Sequence, residues 1–370
     1  MKVIVDRAGL AEAIELVGSI APSRAPNPMA TCIHIAAADG HLVLSATDGE
    51  VCLSVALTNI SVERTGDAAI PADKLRGVVT GEKDDPTITL TTDEHNALIV
   101  SGFDARFRIC GYSPADFPPL PSFPSTVAIK QPAASVGKLL ANTMFAAGKE
   151  TSRYAIDGVF VSQDKKRLEV VATDGRRLAM AWTDDGGEKT TFILPRKAAT
   201  LIRKIVSKHT EDVQIAHDDE RVYAKMGTPD RPGCLILSAN KVTGTFPPYG
   251  DLITTESDKR ASIDRNKLAS AMRRSAILTN EESRGVRMEF TKGKQMKATG
   301  RAPEVGEGVV MLDLASYEGD PIEIGFNPAF VCEGLASISD EHVSLELSKP
   351  SKPGVIRGDR FLYLVMPISL

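Results

Sequence analysis

Between Pro195 and Lys208 stand five cations, Arg196, Lys197, Arg203, Lys204 and Lys208, with no acid among them. Wound as a helix at about 100° per residue, they fall within an arc of roughly 140°, while Ala198, Leu201, Ile202, Ile205 and Val206 take the other side. One face packs and the other is a cationic strip. Such a strip attracts phosphate without reading base identity, and its affinity falls with salt as counterions are released. One helix of this kind is equally a solvated surface, so its companions decide. Arg265, Lys267, Arg273 and Arg274 gather without an acid in a second helical stretch, Lys138, Lys149 and Arg153 lie in and just after a third, and Arg24 follows a fourth. Reading bases would need stacking aromatics or a helix shaped for the major groove. Aromatics are 5% of the chain and the basic helices hold none, so sequence-blind contact with a duplex is expected.

Composition sharpens that expectation. With 44 basic against 48 acidic residues the chain carries a formal charge of −4, so any polyanion site is a local patch and charge is sorted by surface. Six scattered His residues pair with no Ser or Cys at a catalytic spacing, and no phosphate-loop, dinucleotide or zinc-protease motif occurs. His34 and His41 flank a turn as ordinary surface or strand residues. The acidic runs Asp84-Asp85, Asp184-Asp185 and Asp218-Asp219-Glu220 fall where polar turns are expected, and solvated hairpin tips explain them better than a metal site. Cys32, Cys52, Cys110, Cys234 and Cys332 form no C-x-x-C pair, arguing against structural zinc and a disulfide framework. The expectation is a protein without catalysis, metal or cofactor. No apolar run of spanning length and no leader appears, which predicts a cytoplasmic location.

The elements that position these residues repeat. Ala46-Thr47, Ala172-Thr173 and Ala298-Thr299 are spaced by 126 residues and 126 again, Phe117-Pro118-Pro119 returns as Phe246-Pro247-Pro248, and Val5-Asp6-Arg7 returns as Ile263-Asp264-Arg265. A repeat of that length is domain-sized, so three tandem copies are expected, at 1–124, 125–255 and 256–370, with boundaries in the proline-rich stretches Ser113–Pro124 and Thr245–Lys259. Each copy opens on an amphipathic helix: Leu10, Ala13, Ile14, Val17 and Ile20 in the first, Val136, Leu140, Met144 and Ala147 in the second, Leu268, Ala271, Met272 and Ser275 in the third. Strands at 33–37, 42–46, 51–57, 168–172 and 178–182 are joined by Asp39-Gly40, Asp48-Gly49 and Asp174-Gly175 turns. A second helix follows a proline at 71–79, 195–208 and 328–336, with Pro in its first turn. Two helices and about eight strands per copy, a helix layer against antiparallel sheet, give an α+β fold.

Ala172-Thr173-Asp174-Gly175-Arg176-Arg177-Leu178-Ala179, Phe246-Pro247-Pro248-Tyr249, Ile277-Leu278-Thr279-Asn280-Glu281 with Arg284-Gly285-Val286-Arg287, and the ending Val365-Met366-Pro367-Ile368-Ser369-Leu370 resemble the bacterial sliding clamp family, the β subunit of DNA polymerase III, over essentially the whole chain. The resemblance implies the DNA clamp fold: a head-to-tail homodimeric ring of six domains, helices inward and sheets outward, that encircles duplex DNA and has no chemistry of its own. It implies DNA contact at Arg24, Lys197, Lys204, Arg153 and Tyr154, to which the charge pattern adds Lys149, Arg196 and Arg203. Asp73 stands where relatives often carry a basic residue.

Partners implied by the resemblance are the polymerase catalytic subunit, the clamp loader and other proteins carrying a clamp-binding peptide. Their groove would be formed by Ile156, Thr173, Gly175, Arg176, Arg177, Leu178, Pro247, Leu252, Asn327, Phe330, Met366, Pro367, Ile368 and Leu370, with Ser369 and Asp251 replacing residues often basic in relatives. At the subunit junction Phe107 and Ile109 would face Ile277 and Leu278, with Lys74 and Arg106 available for ion pairs.

Overall fold

The computed structural model describes residues 1–38, 40–81, 85–148, 155–208, 210–227, 234–253, 257–279 and 285–369. The repeated Asp of the Val-Asp-Arg and Ile-Asp-Arg landmarks starts a helix each time: Asp6 Oδ2 accepts from Gly9 N at 2.6 Å and Asp264 Oδ1 from Lys267 N at 2.8 Å. Each carboxylate satisfies a donor that a helix start leaves open. The helices are α1 (Arg7–Gly18), α2 (Ala72–Gly81), α3 (Ala133–Thr143), α4 (Arg196–Val206), the single turn α5 (Gly250–Ile253), α6 (Arg265–Ser275) and α7 (Pro328–Ala336). Leu10, Ala13, Ile14 and Val17 of α1 and Leu268, Ala271, Met272 and Ser275 of α6 are buried, as their spacing predicts.

The prolines behave differently from expectation in two of three copies. Pro328 occupies the first turn of α7, but Pro71 and Pro195 close the strands Gly66–Pro71 and Thr190–Pro195. Both are terminal strands of their sheets, where the missing N–H leaves no ladder bond unmade. The Asp48-Gly49 and Asp174-Gly175 turns form as expected, and Asp39 lies outside the described residues. Gly49 and Gly175 sit at φ of +91° and +82°, and Asp48 Oδ1 accepts from Glu50 N and Val51 N as Asp174 Oδ1 does from Arg176 N and Arg177 N.

Helices packed on antiparallel sheets make three α+β domains, and the chain's contacts gather into two compact units. The first unit comprises residues 1–136 and 204–241. Its eight-stranded sheet joins four strands of the first copy, ending on Val51–Leu57, to four of the second, ending on Cys234–Asn240. Its five-stranded sheet belongs wholly to the first copy and ends on Arg106–Ile109. The second unit comprises residues 137–203 and 242–370. Its nine-stranded sheet joins Arg177–Thr183 of the second copy to Phe361–Val365 of the third, and its four-stranded sheet belongs to the third copy and ends on Gly306–Asp313. All ladders are antiparallel.

Within the second unit α7 lies close on strand Phe361–Val365. A Cβ added at Gly334 would come 2.2 Å from Tyr363 Cδ1. Helix propensity alone makes Gly334→Ala stabilising by about 1 kcal/mol, whereas overpacking a filled core costs about 1–3 kcal/mol. The contact decides the sign. Gly334→Ala is expected to lower the melting temperature, and a raised one in a thermal unfolding scan would show that α7 can lift off Tyr363 without cost.

Candidate nucleic-acid face and partner groove

Helix α4 separates its two faces as the sequence predicts. Ala198, Ala199, Leu201, Ile202, Ile205 and Val206 are buried, while Lys197, Arg203, Lys204 and Lys208 are exposed and Arg196 is half-buried. Arg196 Nε lies 3.4 Å from Asp157 and Lys208 Nζ 2.6 Å from Glu12. Among the described residues Arg203 and Lys204 have no acidic partner. Burial lowers the pKa of the Lys197 ammonium. Arg24 is exposed in the loop after α1. Lys149, Arg153 and Tyr154 lie outside the described residues, as does Leu370. On α2, Asp73 pairs with its neighbour Lys74 at 3.3 Å and Arg76 reaches Glu15 of α1 at 3.9 Å, so first-copy cations are partly neutralised. On α6, Lys267, Arg273 and Arg274 are exposed, but Arg265 turns its guanidinium to the carbonyl of Ile338.

The groove residues divide by depth. Leu178 is buried in an apolar cluster with Met180, Leu362 and Leu364, against which Met366, Val242, Tyr249 and Ile253 pack. Phe246 stacks on Phe160 with centroids 5.1 Å apart, fixing the linker that carries Pro247 and Leu252 over the sheet. Burial, with the Glu169 carboxylate nearby, pushes the Tyr249 hydroxyl up to about 12. The chain end is held at two points, Met366 N donating to Arg176 O at 2.8 Å and Ile368 N to Gly325 O at 2.9 Å. Beside it opens a cleft of about 460 Å³ lined by Met366, Pro367, Ile368 and Ser369 and by Arg287, Glu323, Pro350 and Ser351. Those last four carry no repeat or periodicity that sequence reading could have used. Thr173 Oγ1 donates to Arg177 O at 2.6 Å, Ile156 O accepts from Gly148 N, and Asn327 caps α7.

Arg177 is no surface contact. Its side chain is 9% exposed; Nε donates to Asp174 at 3.0 Å, Nη1 to Glu333 at 2.6 Å and Nη2 to Phe145 O at 2.9 Å, and the guanidinium lies 4.3 Å from the Phe330 ring centroid. Tyr363 hydroxyl donates to Phe330 O, fixing that ring from below. Arg176, its neighbour, is exposed.

Of the predicted junction residues, Arg106, Phe107 and Ile109 lie on a terminal strand, Ile277 and Leu278 on the 3-10 turn that follows α6, and Lys74 on α2. Phe107 and Arg106 are exposed on the terminal strand Arg106–Ile109, with Ile109 nearly buried. Ile277 is exposed, and Leu278 lies under the terminal strand Gly306–Asp313, near Gly306 and Gly308. Among the described residues no helix is long and apolar enough to cross a membrane, and no group of three or more His, Cys, Asp or Glu could hold a metal ion. Asp218 serves its own turn, accepting from Glu220 N, Arg221 N and Tyr223 hydroxyl.

Three domain families match the chain in order: the N-terminal domain of the DNA polymerase III beta subunit over residues 1–121, its central domain over 130–247 and its C-terminal domain over 251–369. The beta sliding clamp of Chlamydia muridarum is 29% identical, covering 100% of this chain and 99% of that protein, and that of Escherichia coli K12 is 28% identical with 100% of both covered. Among solved structures, the DNA polymerase III subunit beta of Pseudomonas aeruginosa aligns at 26% identity with a TM-score of 0.93 over 100% of both chains. The sliding clamp of Bacillus subtilis shares the fold at a TM-score of 0.93 and 20% identity, over 100% of this chain and 99% of that one.

The Arg177 cluster generates a stability prediction. Removing one partner of a buried ion pair costs about 3–5 kcal/mol, so Arg177→Ala is expected to lose stability of that order in chemical denaturation. Arg177→Lys should recover only part, because an ammonium cannot span Asp174, Glu333 and Phe145 O together. Full recovery by Lys would reduce the site to a point charge.

Proposed function

Because the chain belongs to the DNA polymerase III β subunit, or sliding clamp, family, we propose that two copies close head to tail into a ring that encircles duplex DNA and tethers the replicative polymerase to it. Homology supports a clamp and processivity function without catalysis. The observation that carries the reading to DNA is α4, whose outer face is cationic in a chain of net charge −4. Lys197, Arg203 and Lys204, with Arg24 and Arg196, would touch phosphate, and Lys149, Arg153 and Tyr154 would extend that contact. Long side chains on a solvated face bind weakly and release quickly, which sliding requires. Retention then comes from topology and not from affinity.

The sheets support closure by two copies. Strands Val51–Leu57 and Arg177–Thr183 each end a half-sheet and each pair with the end strand of the next copy. Gly306–Asp313 holds the same place in the third copy, and Arg106–Ile109 the place of Cys234–Asn240 and Phe361–Val365 in the first. Pairing these last two across subunits would fuse a five-stranded and a four-stranded sheet into one as large as the nine-stranded sheet. Phe107 and Ile109 would then meet Ile277 and Leu278, with Lys74 and Arg106 at the margin, and a head-to-tail contact of this kind closes when its rotation completes a circle. The domains would be 1–124, 125–255 and 256–370, in the cytoplasm.

Partners would insert a short apolar-ended peptide between the second and third copies. Leu178, Pro247, Leu252 and Met366 would bury its anchors; Arg176, Asn327 and Phe330, with Ile156, Thr173, Gly175, Pro367, Ile368 and Leu370, would frame it, and Arg177 would hold the frame. The polymerase catalytic subunit and the clamp loader are the expected carriers.

Two measurements test the reading. The loaded protein should stay on nicked circular DNA and be lost on linearisation; equal retention on both forms would exclude encirclement. Replacing Met366 by Asp should weaken a clamp-binding peptide more than about tenfold in fluorescence polarisation while leaving subunit association unchanged, and a simultaneous loss of association would make Met366 a structural residue.

A further inference from the structure

We propose that the junction between two copies is sealed on its outer side by an apolar clasp, Phe103 of one copy closing over Val309 and Met311 of the other. The inference rests on the two-copy ring proposed above and names what holds it shut. Phe103 is 95% exposed at the tip of the hairpin that joins Leu98–Ser101 to Arg106–Ile109. Its backbone is fixed: Phe103 N donates to Asp85 Oδ2 at 2.7 Å and Gly102 N to Ala105 O at 2.9 Å. A large aromatic held out in water on an anchored turn is the form a contact residue takes, because it loses little freedom on binding.

The receiving surface has the complementary character. Val309 and Met311 stand along Gly306–Asp313 at 51% and 56% exposure, while Val310 between them and Leu312 after them are buried. A terminal strand apolar on both faces, with its backbone edge open, invites pairing. Every ladder in the chain is antiparallel, so the start of Arg106–Ile109 would meet the far end of the partner's Gly306–Asp313, where Met311 lies. Alternation keeps like faces together. Phe107 and Ile109 fall on the inner side with Leu278, and Arg106 and Arg108 on the outer side beside Val309 and Met311. Arg108 is already engaged by Asp93 at 2.8 Å, and an exposed pair from Arg106 to an acid of the partner strand would add little. Apolar contact therefore sets the strength of the seam, and salt should hardly weaken it.

Sedimentation velocity on the full chain tests this. The wild type should remain dimeric between about 0.1 M and 1 M NaCl, with its dissociation constant changing less than about threefold. Phe103→Asp and Met311→Asp should each raise that constant by at least about tenfold, and Arg106→Ala by less than about threefold. Phe103→Ala, with a thermal melt matching the wild type, guards against misfolding and should show the same direction. If Phe103→Asp and Met311→Asp associate like the wild type while Phe107→Asp dissociates, the clasp is refuted and the ring survives. A wild type that is monomeric at micromolar concentration refutes both, and dissociation of the wild type by salt refutes the apolar seal alone.

Discussion

A half-sheet of four or five strands leaves a row of backbone N–H and C=O groups on its last strand that must find partners. Within this chain the row on Val51–Leu57 is satisfied by Cys234–Asn240 and the row on Arg177–Thr183 by Phe361–Val365. Each ladder joins one copy of the repeat to the next, which is why the compact units cut through the middle copy and do not follow the sequence repeat. Among the described residues the rows on Arg106–Ile109 and Gly306–Asp313 have no strand beyond them. In the two-copy ring proposed above these open rows would be the two halves of one more junction of the same kind.

Charge follows the same division of labour. Where a cation is buried it is fully committed: Arg177 spends its donors on Asp174, Glu333 and Phe145 O. Where cations are exposed on α4, Arg203 and Lys204 stand without an acidic partner among the described residues, and each retains its full attraction for a mobile polyanion. An exposed ion pair such as Lys208 to Glu12 is worth little to stability. Its effect is to spend a charge that would otherwise face phosphate. The net excess of acids elsewhere in the chain keeps attraction local to such faces.

How much of this was legible from sequence depends on the range of the interaction concerned. Local chemistry was readable: Gly49 and Gly175 take positive φ, and the apolar stripes of α1, α4 and α6 are buried. Each of those outcomes is settled within a few residues. Which copy a strand pairs with was not readable, since Val51–Leu57 finds its partner across more than one hundred and seventy residues and no local signal names it. The same limit hid the bond from Arg177 to Glu333, whose partners stand 156 residues apart. Pro71 and Pro195 misled for a related reason: proline fits a first helical turn and a terminal strand equally well, and only the sheet order tells them apart. Family resemblance named Arg176 and Arg177 alike, and it could not separate Arg177, which is buried, from Arg176, which is exposed.

Repetition also raises the question of why one junction would carry a peptide groove and its twin would not. The two are alike in backbone: Thr47-Asp48-Gly49 and Thr173-Asp174-Gly175 make the same turn, and Asn240 N donates to Glu50 O as Met366 N does to Arg176 O. The side chains diverge. At the first junction Cys52 and Ser238 stand opposite each other where the second has Leu178 and Leu364. Arg221 fills the first, donating to Asn240 Oδ1 at 2.6 Å and lying within reach of Ser238 and Cys52. Strand pairing places Arg221 against Asn240, and the corresponding place beside Met366 falls to Pro353, next to Gly354, which faces Val365. Neither proline nor glycine can send a polar arm across the sheet. The first junction therefore carries a guanidinium across its sheet, while at the second the corresponding side chains, Leu178 and Leu364, are apolar and buried in the chain's own core.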